Sequence, residues 1–129
     1  MPATPEAPHH PYQDLIGFET SQADEAGTAS VTVRPEHMNP NNVCHGAVPY
    51  ALIDTAMGSA TMTVVPEGGF CATIEIHIRY FKAVLEGRLH ATATVLRAGK
   101  RIVHLDATVV DDDGAEVAAA TGSYAIIAG

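Results

Sequence analysis

The chain has 129 residues, of which 47% are hydrophobic and 17% charged, and its formal net charge is −8. This size fits one domain with one core, and the composition excludes a disordered chain. The negative charge argues against a nucleic-acid partner, which needs a basic face. The sequence shows neither a run of roughly 20 apolar residues for a membrane span nor a signal-peptide pattern. Cys44 and Cys71 are expected as free thiols, so we predict a cytoplasmic protein without membrane contact.

The N-terminal part of the chain changes from proline-rich to strand-like. Prolines recur up to residue 11 at a spacing that disfavours helix and sheet (Pro2, Pro5, Pro8 and Pro11). Residues 1–13 are therefore predicted to form a flexible arm, and residues 14–129 a single domain. Strands are predicted over residues 16–24 and 28–34, with a turn at residues 25–27.

The middle of the chain predicts one long helix. Pro40 and three neighbouring asparagines make residues 35–45 an expected loop. From residue 46 to about residue 64, apolar side chains recur at helical spacing, with Pro49 in the first turn. Small residues allow a sheet or another helix to approach this helix closely (Ala51, Ala56, Gly58, Ser59 and Ala60).

The last part of the chain predicts an antiparallel sheet. Strands are expected over residues 72–80, 88–96, 101–110 and 116–127, and glycine-containing hairpin turns join the last three. Strict alternation in the first of these strands predicts one buried face (Ala72, Ile74, Ile76, Ile78 and Tyr80). One long helix packed against such a sheet is an α+β architecture.

Asp54 is a carboxylate in the middle of the predicted helix, among small and apolar residues. An unpaired carboxylate is costly to bury, and such a position suits a general base. Gly46 and Ala47 open the same helix, where N–H groups and the helix dipole suit a developing oxyanion. A rise of about 1.5 Å per residue puts Asp54 about 12 Å from them, so a reaction that uses both needs two subunits with antiparallel helices. Alternatively, Asp54 is a solvent-facing residue without a chemical role.

Three short motifs carry a resemblance to a known family. The run His37-Met38-Asn39-Pro40, the pair His45-Gly46 and the pattern Leu52-x-Asp54-x-Ala56 resemble the hotdog-fold thioesterase superfamily, and within it the phenylacetate-degradation (PaaI-like) clade. The resemblance implies a hotdog fold, with one central helix wrapped by five to six antiparallel strands. It also implies a homodimer with shared active sites, often doubled into a homotetramer. The expected activity is hydrolysis of a small aryl-acyl or a short- or medium-chain acyl-CoA.

The resemblance implies a role for each matching residue. Asp54 matches the carboxylate that acts as general base or nucleophile, and Gly46 matches the residue whose N–H polarises the thioester carbonyl. Asn39 matches a side chain that places the attacking water, and His45 matches a residue that braces the loop and the helix start. Thr73 falls near a family position often held by a small hydroxyl residue.

Coenzyme A is expected as part of the substrate, with no separate cofactor and no metal. Its predicted contacts are Ala47 and four cations (Lys82, Arg97, Lys100 and Arg101). The alternative for the cations near residues 97–101 is a solvated hairpin turn. Ala47 and Asn42 both stand where the family usually has glycine, and Asn42 should tolerate the left-handed backbone region.

Other functions are open to this sequence. A hotdog hydratase or dehydratase pairs a catalytic histidine with a more distant acid, and it lacks the spacing of Asn39, Gly46 and Asp54. A non-catalytic acyl-CoA-binding module would gain from an apolar residue in place of Asp54. His37, Cys44 and His45 could suggest a metal site, but their spacing fits no standard zinc pattern.

Overall fold

One long helix lies against a single antiparallel sheet in the computed structural model, which describes residues 10–129. Residues 1–9 of the predicted arm lie outside the described residues. The elements in chain order are α1 (Pro11–Ile16), β1 (Glu19–Ala23), β2 (Ala26–Thr32), a 3-10 turn (Pro35–His37), α2 (Ala47–Met62), β3 (Phe70–Tyr80), β4 (Arg88–Ala98), β5 (Ile102–Val110) and β6 (Glu116–Ile127). The six strands have the order β1-β2-β4-β5-β6-β3, and every neighbouring pair is antiparallel. The predicted α+β architecture is confirmed.

The core lies between α2 and the concave face of the sheet. Leu52, Ile53 and Met57 of α2 are fully buried, and they pack with the inward side chains of β2, β4, β5 and β6. Two strand glycines allow this close approach, since a Cβ on Gly27 would lie 2.3 Å from the carbonyl oxygen of Ala56, and a Cβ on Gly122 would lie 2.8 Å from the Met57 sulfur. None of the helices in residues 10–129 combines the length and apolar character needed to cross a bilayer.

The helix α1 differs from the irregular arm predicted up to residue 13, and it also takes residue 16 from the predicted first strand. Pro11 lies in its first turn, where a missing N–H costs no hydrogen bond, and Gly17 ends it at φ 89°. The guanidinium of Arg34 donates to the carbonyls of Leu15 and Ile16, at 3.2 and 2.8 Å. Because these contacts come from distant residues, proline spacing alone did not reveal the helix.

Two further boundaries differ from the prediction. The second strand begins at Ala26, because the turn after β1 lies at residues 24–25 and Glu25 has φ 56°. In β3 the register shifts between Thr73 and Glu75, so Ile74 is a bulge and is 51% exposed. A bulge inverts the alternation of the strand. Thr73 therefore points towards α2, whereas alternation had predicted Ile74 on that face.

Candidate active site

The Asp54 side chain lies on the uncovered side of α2, at the edge of the sheet. It is partly exposed and lines a cleft of about 910 Å3 that runs between β1, α2 and the start of β3. Small and apolar residues line one part of this cleft (Gly58, Met62, Phe70 and Cys71), and polar residues near α1 and β1 line another (His10, Gln13, Thr20, Ser21 and Gln22). The carboxylate therefore faces a space that can hold an acyl group.

Two hydroxyl groups contact the carboxylate of Asp54. The Oγ1 of Thr73 donates to its Oδ1 at 2.8 Å. The hydroxyl of Tyr124 also contacts Oδ1, and it lies 2.8 Å from the backbone carbonyl oxygen of Asp54. Tyr124 is only 2% exposed. Thr73 comes from β3 and Tyr124 from β6, which pair with one another at these residues.

Burial and the nearby carboxylate perturb two titratable neighbours of Asp54. Burial, followed by the hydrogen bond to Asp54, raises the pKa of the Tyr124 phenol well above its ordinary value. Burial also raises the pKa of the Cys71 thiol, and the charge of Asp54 adds to that effect. Both groups therefore keep their protons at neutral pH, and neither adds a negative charge beside the carboxylate.

The start of α2 leaves one N–H group without an acceptor. The N–H of Ala47 donates to Nδ1 of His45 at 2.8 Å, and that of Val48 donates to the carbonyl of His45 at 2.9 Å. Pro49 has no N–H, so within residues 10–129 the free donor at this helix start is the N–H of Gly46. Ala47 was expected to offer a second free N–H, and this expectation was wrong because the imidazole accepts its hydrogen bond.

Tyr80 closes the space beside Gly46. Its hydroxyl donates to the carbonyl of Gly46 at 2.6 Å, and a Cβ on Gly46 would lie 3.3 Å from its ring. Burial raises the pKa of the Tyr80 phenol, and the neighbouring Tyr50 adds to the effect, so the phenol remains a donor. Glycine at residue 46 therefore lets the tyrosine lie directly against the helix start.

Asn39 organises the loop that leads into α2. Its side-chain oxygen accepts from the N–H of Asn41 at 2.9 Å and of Val43 at 3.3 Å, while its own N–H donates to the carbonyl of Val43. Among residues 10–129, the side-chain amide of Asn39 is left without a hydrogen-bond acceptor. Asn42 has φ 61°, in the left-handed backbone region that asparagine was expected to tolerate at this position.

His37, one of the residues considered for a metal site, uses both ring nitrogens within the chain. Its Nδ1 accepts from the N–H of Arg34 at 3.0 Å, so Nε2 carries the proton and donates to the carbonyl of Ile16 at 2.8 Å. The ring is 4% exposed. It is therefore a structural residue that joins the 3-10 turn to α1.

The four cations predicted to contact coenzyme A do not form one cluster within this chain. Lys100 and Arg101 line a second cleft of about 620 Å3, beside the beginning of β3 and the end of β6. Arg97 is exposed and outside the residues that line that cleft. Lys82 lies just beyond the other end of β3, about 30 Å away along the strand. There it pairs with Asp111 at 2.5 Å.

Tyr124 is the site residue that sequence reasoning missed. It lies 70 positions from Asp54 in the chain, and no local motif connects the two. The available signal was the strand predicted over residues 116–127, in which alternation places Tyr124 on the same face as Gly122. That pattern indicates an inward side chain, but it does not show which helix residue the hydroxyl meets.

Sequence comparisons support one family. The thioesterase superfamily matches residues 41–118, more than half of the chain. A candidate esterase of Halobacterium salinarum is 32% identical over 127 aligned positions, covering 87% of this chain and 83% of that protein. A candidate esterase of Archaeoglobus fulgidus is 36% identical over 72 residues, and this match spans 55% of this chain and 45% of the relative's length.

Solved structures share the fold over most of the chain. A conserved protein of Pseudomonas aeruginosa is 28% identical with a TM-score of 0.87, covering 92% of this chain and 95% of that one. The phenylacetic acid degradation protein PaaI of Thermus thermophilus, solved as a mutant, is 25% identical with a TM-score of 0.82, covering 90% and 98%. The wrapped helix and six-stranded sheet are thus those of the hotdog fold. The chain belongs to the thioesterase superfamily, and by family it is a thioester hydrolase.

Proposed function

We propose that this protein hydrolyses the thioester of a small aryl-acyl or a short- or medium-chain acyl-CoA, with Asp54 as the catalytic carboxylate. Its family supports acyl-CoA thioesterase activity in general. The observation that carries the proposal is the placement of this carboxylate. It faces an open cleft that has both an apolar and a polar part, while two hydroxyl groups hold it in place. The cleft size and its Met62 and Phe70 walls fit a compact acyl group.

The reaction centre is proposed to combine Asp54 of one subunit with Gly46 of a second. Both residues belong to the same unbroken helical segment, since Gly46 is the N-cap of α2. Eight residues of helix separate them by about 12 Å, too far for both to contact one thioester carbonyl. A two-fold axis that sets two α2 helices antiparallel would bring Asp54 of one chain to Gly46 of the other.

The edge of the sheet offers a surface for such a dimer. The edge strand β3 has eleven residues and pairs on one side only, with β6. Large apolar side chains lie exposed on or beside this strand in the single chain (Tyr50, Phe70, Ile74, Tyr80 and Phe81). Such a group of exposed apolar side chains is unusual on the surface of a monomeric protein. Antiparallel pairing of two β3 edges would cover them and continue the sheet across the axis. Doubling of such dimers into a tetramer is a further prediction from the family resemblance.

In the proposed mechanism Asp54 acts on water and Gly46 acts on the carbonyl. Asp54 removes a proton from a water molecule whose oxygen bonds to the thioester carbon. The N–H of Gly46, at the positive end of the helix dipole, donates to the carbonyl oxygen as its charge increases. Collapse of the tetrahedral intermediate breaks the carbon–sulfur bond, and the thiolate of coenzyme A takes up a proton. The side-chain amide of Asn39 is a donor that could orient the water.

Coenzyme A is proposed to extend towards the cleft beside Lys100 and Arg101. These two cations lie at the end of the sheet where β3 begins, on the same side as Thr73 and Asp54. Turn cations suit phosphate groups because they bind without deep burial. Antiparallel pairing of two β3 strands would also bring Lys82 of a second subunit towards Lys100 and Arg101. Lys82, which is far from these two cations within one chain, could then contact the same coenzyme A.

A panel of acyl-CoA substrates tests the proposal. Free-thiol release should be detected with aryl, short or medium acyl-CoAs and should be weaker with long chains. Absorbance of an enoyl-CoA substrate, followed in parallel, would detect hydratase activity. Thiol release that disappears in Asp54→Asn supports the proposal. Acyl-CoA binding without release by the wild-type protein, or enoyl turnover without release, would contradict it.

A further inference from the structure

The two oxygens of the Asp54 carboxylate have different environments. The hydroxyls of Thr73 and Tyr124 both contact Oδ1. Among residues 10–129, no hydrogen bond reaches Oδ2. Asp54 is partly exposed to the cleft, so one oxygen is anchored by the protein while the other is open to solvent or substrate.

Tyr124 is built into the fold more firmly than Thr73. Its ring is almost fully buried, and it lies against α2 one helical turn beyond Asp54, where its Cε2 is 3.9 Å from the position of a Cβ on Gly58. Its hydroxyl reaches both the carboxylate and the backbone carbonyl of Asp54. The buried Tyr124 therefore fixes both the backbone and the side chain of Asp54 relative to β6.

We propose that Tyr124 is a positioning residue that, with Thr73, immobilises Oδ1 of Asp54 and so makes Oδ2 the oxygen that acts on the reactants. This inference rests on the proposed function of Asp54. Oδ2 accepts the proton of the attacking water, while the two hydroxyl groups hold Oδ1 in place by hydrogen bonds to a charged acceptor. Fixing Oδ1 also fixes the direction in which Oδ2 points, and a displacement of about 1 Å can cost about 100-fold in rate.

Tyr124 itself is not the proton donor of the reaction. Burial is the main cause that raises the pKa of its phenol, so the hydroxyl stays protonated over the whole range in which a thioesterase is assayed. Cys71, the other titratable side chain beside the carboxylate, also has a raised pKa. Neither neighbour therefore adds a negative charge beside the carboxylate.

The substitution Tyr124→Phe tests the proposal because it keeps the ring and removes only the hydroxyl. We expect kcat to fall about 10- to 100-fold with little change in KM, because an orientation that matters in the transition state is lost. Tyr12→Phe, which removes an exposed hydroxyl on α1, is the matched control and should leave kcat unchanged.

Thermal melting separates positioning from a purely structural role. The kcat values of the wild type and of Tyr124→Phe are compared per amount of folded protein. In a second experiment, Thr73→Val is combined with Tyr124→Phe in one double variant. Losses that are far from additive would support two donors acting on one oxygen. A Tyr124→Phe protein with kcat within about twofold of the wild type, or one whose loss appears in KM rather than in kcat, would overturn the proposal. If Asp54→Asn is inactive in that same assay, the assignment of Asp54 survives while the role of Tyr124 is rejected.

Discussion

The two residues of α2 that are proposed to act in the reaction, Gly46 and Asp54, are supported in different ways. At Gly46, the support comes largely from the preceding loop. His45 accepts hydrogen bonds from the N–H groups of Ala47 and Val48, so that the N–H of Gly46 is the donor left free at this helix start. At Asp54, support comes from strands that lie 19 and 70 positions away in the chain. The first arrangement depends on local hydrogen bonds, whereas the second depends on the sheet being complete.

This difference predicts different responses to perturbation. A change at Gly46 should affect the carbonyl of the substrate while leaving the rest of the sheet in place. A change at Thr73 or Tyr124 should instead act through the orientation of Asp54. The substitutions below separate these two modes, beginning with the one expected to have the largest effect.

Asp54→Asn should give the largest loss. Removal of a general base typically lowers kcat by about 10²- to 10⁴-fold, and loss of a nucleophile costs more. Thiol-release kinetics measure the effect, and thermal melting verifies the fold. Asp106→Asn is a matched control, because Asp106 accepts a hydroxyl hydrogen bond from Thr94 at 2.7 Å and is exposed on the outer face of the sheet. An Asp54→Asn enzyme with more than about a third of the wild-type kcat would refute the assignment.

Gly46→Pro should give the second largest loss. Proline removes the N–H, and the observed φ of −57° at Gly46 is one that proline can adopt. Loss of one oxyanion donor typically lowers kcat by about 10²- to 10³-fold. Gly46→Ala is the control, because it keeps the N–H and only adds a Cβ that meets the Tyr80 ring at 3.3 Å. Equal losses in the two variants would show that crowding, and not the donor, explains the effect.

Thr73→Val should have a smaller effect than either. It removes one of the two hydroxyl contacts to Oδ1 of Asp54, and a hydrogen bond to a charged group contributes about 1.5–3 kcal/mol, part of which Tyr124 retains. We expect a kcat loss of roughly tenfold, measured on the same substrate. Thr73→Ser keeps the hydroxyl and should recover most of the rate. A serine variant as slow as the valine variant would mean that packing, rather than the hydroxyl, matters there.

Charge removal at Lys100 and Arg101 should give the smallest effect. If these residues contact phosphates of coenzyme A, their replacement by alanine should raise KM roughly three- to tenfold and leave kcat nearly unchanged, since exposed ion pairs are weak and act equally in ground and transition states. The increase should vanish with a pantetheine thioester that lacks the nucleotide. Arg88→Gln is the control, because it removes a cation that pairs with Glu19 at 3.8 Å and is not proposed to contact coenzyme A. Equal KM increases on both substrates would contradict phosphate contact.

The same contrast explains which features could be predicted from the sequence. The long helix and the six strands follow from local pattern, and the structure contains them close to the expected positions. Asn42 adopts the left-handed conformation that its residue type was expected to tolerate. Asp54 and Gly46 were found because a short motif connects them. The spacing also gave their separation, because a regular helix has a fixed rise per residue.

Features that depend on distant contacts were missed or misplaced. The bulge at Ile74 reversed the predicted face of the first residues of β3, whereas Ile76 and Ile78 pack against the core as predicted. No residue near Tyr124 in the sequence indicates its contact with Asp54. The helix α1 forms although prolines precede it, because Arg34 binds its last carbonyls. The hydrogen bond from Ala47 to the His45 ring was missed for another reason, since it depends on a side-chain rotamer that the backbone pattern does not specify.

The most direct test of the account is whether Asp54 and Gly46 act from different subunits. Asp54→Asn and Gly46→Pro chains, each folded, dimeric and inactive alone, are mixed under conditions that exchange subunits. A heterodimer then holds one site with both groups intact and one site with neither. If the active site is shared, thiol release should return at up to about half the wild-type rate per verified heterodimer. Verified heterodimers that remain inactive, or a folded monomer that is fully active, would contradict a shared site.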